Sequence, residues 1–133
     1  MKLPNYASGR WTEGRGTGAA LHDPVLGIEL ARASTDGIDF AAALEYARGT
    51  GGPGLRALGY AERAGLLAKI AEVLSANRAA YFEIALANSG SPESDASIDI
   101  DGAIFTLKYY ARAGAALGSA RYLKDGELVR LAK

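Results

Sequence analysis

Three sets of residues in this chain have types and spacings that invite chemistry. Gly14-Arg-Gly-Thr-Gly18 has the look of a phosphate loop, Asp95, Asp99 and Asp101 could pair carboxylates for a metal or for acid–base work, and His22 is a lone imidazole. A phosphate loop needs its glycines between a strand and the helix whose N-terminus receives the anion. Here the spacing differs from the dinucleotide fingerprint and the flanking residues read as two strands, so a hairpin connection is expected. Residues two apart on a helix point away from each other, so Asp99 and Asp101 do not face one another. Acids in a first helical turn meet the positive end of the helix dipole, which gives these aspartates a structural purpose. His22 has no second His or Cys to complete a metal set and no hydroxyl nucleophile motif beside it. Trp11, Tyr109 and Tyr110 could line a pocket, but aromatics beside glycine turns and on long helices are expected to fill a core or a subunit contact. Gly49-Thr-Gly-Gly-Pro-Gly54 follows a helix and reads as a flexible connection. No catalytic, cofactor-binding or metal-binding residue is assigned from these groups.

The elements that must hold them are punctuated clearly. Tyr6-Ala-Ser-Gly-Arg-Trp11 reads as two short extended pieces around a Ser-Gly turn. Ala19 to Asp23 then meets Ile28 to Arg32 across Asp23-Pro-Val-Leu-Gly27, where Pro sets φ and Gly accepts a positive φ. The front is therefore a small β meander, and its apolar side chains (Leu21, Val25, Ile28, Leu30) need something to lie against. Ser34-Thr-Asp36 offers N-cap oxygens to a helix with Phe40, Ala43, Leu44 and Ala47 on one face, ended by Gly49 to Gly54. A second helix from about Ala61 places Leu66, Leu67, Ile70, Val73 and Leu74 on one face, with Glu62, Arg63, Lys69 and Glu72 largely opposite. Ser75-Ala-Asn77 interrupts; a third runs from Arg78 to Ala87 with Tyr81, Ile84 and Ala85 on one side, and Asn88-Ser-Gly-Ser-Pro92 stops it. A fourth, from about Ser97 to Leu117, carries Ile100, Ala103, Ile104, Leu107, Ala111 and Gly114. Arg121 to Leu131 is a candidate hairpin with Asp125-Gly126 as a type I′ turn.

Composition narrows the function classes. At 133 residues the chain suits one modest domain. Fifteen basic and fifteen acidic residues cancel and are scattered along the chain, so there is no electrostatic footprint for nucleic acid or anionic lipid. The N-terminus lacks the apolar region of a signal peptide and no run reaches the ~20 apolar residues of a membrane span, so a cytoplasmic protein is expected. With no cysteine, disulfides, thiolate metal sites and thiol nucleophiles are outside the repertoire of these residues.

The order Tyr6-Ala-Ser-Gly-Arg-Trp11, Asp23-Pro-Val-Leu-Gly27, Ser34-Thr-Asp36, Ala61-Glu-Arg-Ala-Gly-Leu-Leu-Ala-Lys-Ile-Ala-Glu-Val-Leu74 and Lys108-Tyr-Tyr-Ala111 resembles the N-terminal segment of NAD(P)-dependent aldehyde dehydrogenases. The match covers nearly the whole chain, and its specificity lies in the collinear set. Phe40 to Arg48, Gly51-Gly-Pro-Gly-Leu-Arg-Ala-Leu58 and Ile98-Asp-Ile-Asp-Gly-Ala-Ile-Phe-Thr-Leu107 look closest to the semialdehyde dehydrogenases of aerobic phenylacetate and benzoate breakdown, which act on ring-opened acyl-CoA semialdehydes.

The resemblance implies a much longer enzyme with a Rossmann-like cofactor domain, a catalytic domain carrying a nucleophilic Cys, and a bridging hairpin used in oligomerisation. In that family the Cys attacks the aldehyde, hydride passes to the nicotinamide, and an activated water releases the acid. None of those groups is in this sequence, so the chain alone is expected to be inactive and to bind no cofactor, with NAD or NADP belonging to the full-length enzyme. Some members hold a monovalent cation near the acid that Asp99 matches; no metal is assigned here. The expected fold class is an α+β fragment of an α/β enzyme: N-terminal β meander, about four helices, C-terminal β hairpin. Residues 1–120 would be the meander and the helices flanking the cofactor domain, and 121–133 the start of the bridging region. The expected partners are the remainder of its own polypeptide and a second copy in a homodimer. The alternative is a non-catalytic helical interaction or dimerisation module. A fragment should leave the faces of helices 61–74 and 97–117 partly uncovered; a module should bury them.

Overall fold

The computed structural model describes residues 1–119 and the strand segments Leu123–Asp125 and Val129–Leu131. Two compact units are each gathered from two stretches of chain: Met1–Gly51 with Ala79–Ser97, and Gly52–Arg78 with Ile98–Lys133.

The first unit opens with β1 (Lys2–Leu3), β2 (Asn5–Ala7) and β3 (Arg10–Thr12). Ser8 and Gly9 join β2 to β3 with φ of 51° and 78°, the type I′ geometry whose twist suits a two-residue hairpin. Next come β4 (Ala19–His22) and β5 (Glu29–Ala33), antiparallel with a bulge between Leu21 and His22. Their loop is built by Asp23, whose Oδ1 accepts from the Val25 and Leu26 amides at 2.8 Å each. Gly27, at φ 70°, donates its N–H to the Asp23 carbonyl at 2.9 Å. The short polar side chain replaces the missing backbone partners of the turn, so Asp23 is buried. Both expected hairpins form, and β1 adds a parallel edge to β5, giving the order β1-β5-β4. A two-residue strand is too short for any periodicity to announce.

The first helix corrects two expectations. Ser34-Thr-Asp36 does not cap it; Asp39 does, its Oδ1 accepting from the Ala42 amide at 2.9 Å at the head of α1 (Phe40–Tyr46). Gly49 to Gly54 does not end it either: the chain continues through a π-helical turn (Ala47–Gly51) into α2 (Gly52–Ala57). Gly49, Gly51 and Gly54 all avoid positive φ and a Cβ on any of them would meet nothing within 4 Å, so their freedom is not used to turn the chain. α4 (Arg78–Ser89) closes on Gly90, whose φ of 68° and N–H bond to the Leu86 carbonyl at 2.9 Å make a left-handed cap.

In the second unit, α3 (Tyr60–Ala76) starts at Gly59, whose N–H donates to the Glu62 carboxylate at 2.7 Å. Glycine has no side chain to return the bond, so this is half of a capping box. α5 (Glu93–Ala116) begins one turn ahead of the expected Ser97, because the Pro92 carbonyl accepts the Asp95 and Ala96 amides at 3.0 Å each; its portion from Ile98 onward belongs to this unit. Gly118, left-handed at φ 58°, closes it, and its carbonyl accepts the Ala61 N–H at 2.9 Å. One helix end thus satisfies an orphan donor at the start of another. β6 (Leu123–Asp125) and β7 (Val129–Leu131) pair antiparallel, as the expected hairpin requires; the Asp125-Gly126 turn lies outside the described residues.

The apolar residues buried among those described are small: Ala31, Ala64, Ala71, Ala96 and Ala111, joined only by Ile104. On α5 the expected face holds at Ile100, Ile104, Leu107, Ala111 and Gly114, while Ala103 is exposed. On α3 the face is rotated: Ala64 and Ala71 are buried, Leu67 and Leu74 half-buried, and Leu66, Ile70 and Val73 exposed. On α1 Phe40 and Leu44 are exposed, and on α4 Ile84 is exposed while Tyr81 and Ala85 are half-buried.

Candidate functional site

Gly14 to Gly18 connects β3 to β4, between two strands as expected but not as the hairpin expected, because β3 pairs with β2 and β4 with β5 in a separate sheet. Its carbonyls converge on a cation: the Lys2 ammonium donates to Gly14 O and, at 2.7 Å, to Gly16 O. The Arg15 N–H donates to Asp36 O at 2.8 Å, and the Arg15 carbonyl accepts the Ser34 hydroxyl at 2.7 Å. Asn5 Nδ2 completes the tie by donating to Ser34 O at 2.8 Å. An anion nest needs successive N–H groups aimed inward. This loop aims its Gly14 and Gly16 carbonyls at Lys2 instead, so it is a structural knot, and Ser34 serves the knot rather than a helix.

The aspartates are not brought together. Asp95 lies in the first turn of α5, where the dipole argument applies; Asp99 and Asp101 lie beyond it because the helix starts early. Asp101 receives Arg78 side-on, Nε at 2.6 Å and Nη2 at 2.7 Å. Those charge-assisted bonds hold the Asp101 carboxyl below its ordinary range. Asp99 is exposed. Among the described residues no three His, Cys, Asp or Glu side chains are placed to share a metal. His22 is exposed on β4 opposite Glu29, whose carboxyl is held low chiefly by the hydrogen-bonded Arg32 guanidinium.

The aromatics are at the surface rather than in a core. Tyr6 and Trp11 pack edge to face at 5.1 Å, Tyr109 and Tyr110 at 5.3 Å, and all four are exposed.

What the second unit does build is a close helix seam with a cleft beside it. Gly114 on α5 meets Ala64 on α3 with no room for another carbon. The cleft, ≈ 530 Å³, is lined by Tyr60, Leu67, Tyr110, Ala113 and Leu117 together with Arg63. Arg63 lies over the Tyr60 ring at 4.6 Å, and its Nε and Nη2 are buried with no hydrogen-bond partner. The sequence reading put Arg63 on the solvent side of its helix and missed this. The available signal was the pairing of small residues, Ala64 and Ala71 on one helix with Ala111 and Gly114 on the other. In the first unit a second apolar cleft, ≈ 390 Å³, lies between the Asp23–Leu26 loop and Leu86 and Ala87 of α4. Among the described residues no helix is long and apolar enough to cross a membrane.

The family model described as aldehyde dehydrogenase family matches residues 11–129. The 3,4-dehydroadipyl-CoA semialdehyde dehydrogenase of Aromatoleum evansii is 63% identical over 133 residues, which is 100% of this chain and 26% of that protein. The chain therefore spans about a quarter of the curated relative it matches.

Proposed function

The chain belongs to the aldehyde dehydrogenase family, and from that premise we propose that it is the N-terminal part of a longer cytoplasmic enzyme that oxidises an acyl-CoA semialdehyde to the acid with NAD or NADP. The observation that carries the reading is the identity over the whole chain to a semialdehyde dehydrogenase of which it spans 26%. The packing supports it: α3 buries its alanines and leaves Leu66, Ile70 and Val73 exposed, as expected of a surface that more polypeptide covers. Two local features support placing the cofactor elsewhere in the enzyme. Gly14 to Gly18 offers carbonyls to Lys2, and Gly49 to Gly54 is helical, so cofactor and catalytic Cys are assigned to the rest of the polypeptide. Residues 121–133 begin the bridging region through which the full enzyme forms a homodimer.

The test is to read the coding DNA past the Lys133 codon and to assay both polypeptides for NAD(P)H formation from a semialdehyde. The expected result is an open frame leading into a dinucleotide-binding strand and a catalytic Cys, activity in the long polypeptide, and none in the 133-residue chain. A stop codon there, with the chain sedimenting as a dimer that hides Leu66, Ile70 and Val73, would instead establish the helical interaction module.

A further inference from the structure

We infer that the cleft beside the α3–α5 seam seats a carboxylate-bearing, otherwise apolar segment from the part of the same polypeptide that this chain does not span, with Arg63 receiving the carboxylate. The inference rests on the proposed function, because the segment is one the longer enzyme must supply.

The starting point is an unbalanced group. Arg63 Nε and Nη2 are shielded from water and donate to nothing, while the Tyr60 ring at 4.6 Å stabilises the guanidinium face without supplying an acceptor. Buried donors almost always find partners, and a buried charge all the more so. Nε and Nη2 form one edge of the guanidinium fork, the edge that takes a carboxylate through two parallel N–H···O bonds. Asp101 is held by Arg78 in this way, so the same chain already shows the geometry. Arg63 is also one of the residues that line the cleft.

The walls describe the rest of the occupant. Ala64, Leu67, Ala113 and Leu117 are apolar, and among the described residues that line the cleft the charged one is the cationic Arg63. An acidic residue flanked by apolar ones is complementary. A second copy related by a two-fold axis passing through the cleft itself would set Arg63 against Arg63. The source we assign is the further polypeptide of the proposed longer enzyme, since this chain matches 26% of its relative's length.

The experiment is the sign of one substitution in two contexts. In the 133-residue chain, R63M removes two buried donors that have no acceptor and should raise the melting temperature by a few degrees. In the full-length polypeptide the same R63M strands the carboxylate and should lower the melting temperature by at least as much, with R63K in between. Independently of how the variants fold, the Arg63 Nε–H resonance of the unaltered full-length protein should be shifted downfield and protected from exchange. R63M acting with the same sign in both contexts, or an unprotected, unshifted Nε–H, would overturn the inference. A full-length polypeptide without aldehyde oxidation would instead fail the proposed function, which these stability and resonance readouts do not measure.

Discussion

The Cβ of Ala64 stands 2.9 Å from the place a Cβ would occupy on Gly114, so the α3–α5 seam is set by the smallest side chains available. Gly114→Ala gains about 1 kcal/mol of helix propensity but overpacks the seam by ~1–3 kcal/mol, and a net loss of about 1 kcal/mol is expected. Ala64→Gly alone also destabilises, by about 2 kcal/mol. Together they exchange the methyl across the seam, so urea unfolding of both single variants and the double should give a double-variant loss smaller than the sum.

Two glycine clusters should respond oppositely to alanine. At Gly14 a Cβ would run into the Ser34 carbonyl of the backbone, which has no flexible end to move away. Gly14→Ala should cost ~3 kcal/mol or more, since the Lys2, Asn5 and Ser34 ties all converge there. Gly54→Ala, in α2 with open space around it, should raise stability by about 0.5–1 kcal/mol. Thermal melting of the pair distinguishes a close approach from a dispensable glycine.

The Arg78–Asp101 pair predicts an acid-side loss of stability. The folded-state pKa of Asp101 is depressed, so its contribution is complete above the ordinary Asp value and disappears as pH falls through the lowered one. Asp101→Asn should therefore flatten the decline in melting temperature across that acidic range and reduce its salt sensitivity. A parallel decline in both proteins would remove the pair from the account.

Ile70 is 48% exposed between Leu66 and Val73 on the uncovered face of α3. Ile70→Lys should change the stability of the 133-residue chain by no more than ~0.5 kcal/mol while reducing the binding of a hydrophobic dye. If a dimer or a refolded core buries this face, the same change would cost ~2–5 kcal/mol.

Local chemistry was legible wherever neighbours in sequence complete one another. Asp23-Pro-Val-Leu-Gly27 reads as a turn because one carboxylate, one fixed φ and one positive φ suffice to make it. Ser8-Gly9 is the same kind of case. The family resemblance was legible for a different reason: it rests on the order of several short matches along the chain, which no fold is needed to see.

The outcome differed where two elements had to choose each other. Hydrophobicity assigned Leu66, Ile70 and Val73 to the inside of α3, yet α5 approaches through Gly114 and Ala111, and only alanines allow helices so close. Ser34 was an adequate cap by type, but Arg15 and Asn5 hold it elsewhere and Asp39 caps the helix. Arg63 reads as a solvent-facing charge until Tyr60 and the seam enclose it. Composition and order settle short turns and lineage because those depend on residues adjacent in the chain; which face is buried and which charge lacks a partner depends on distant backbones coming within a few ångströms, and that is decided by packing.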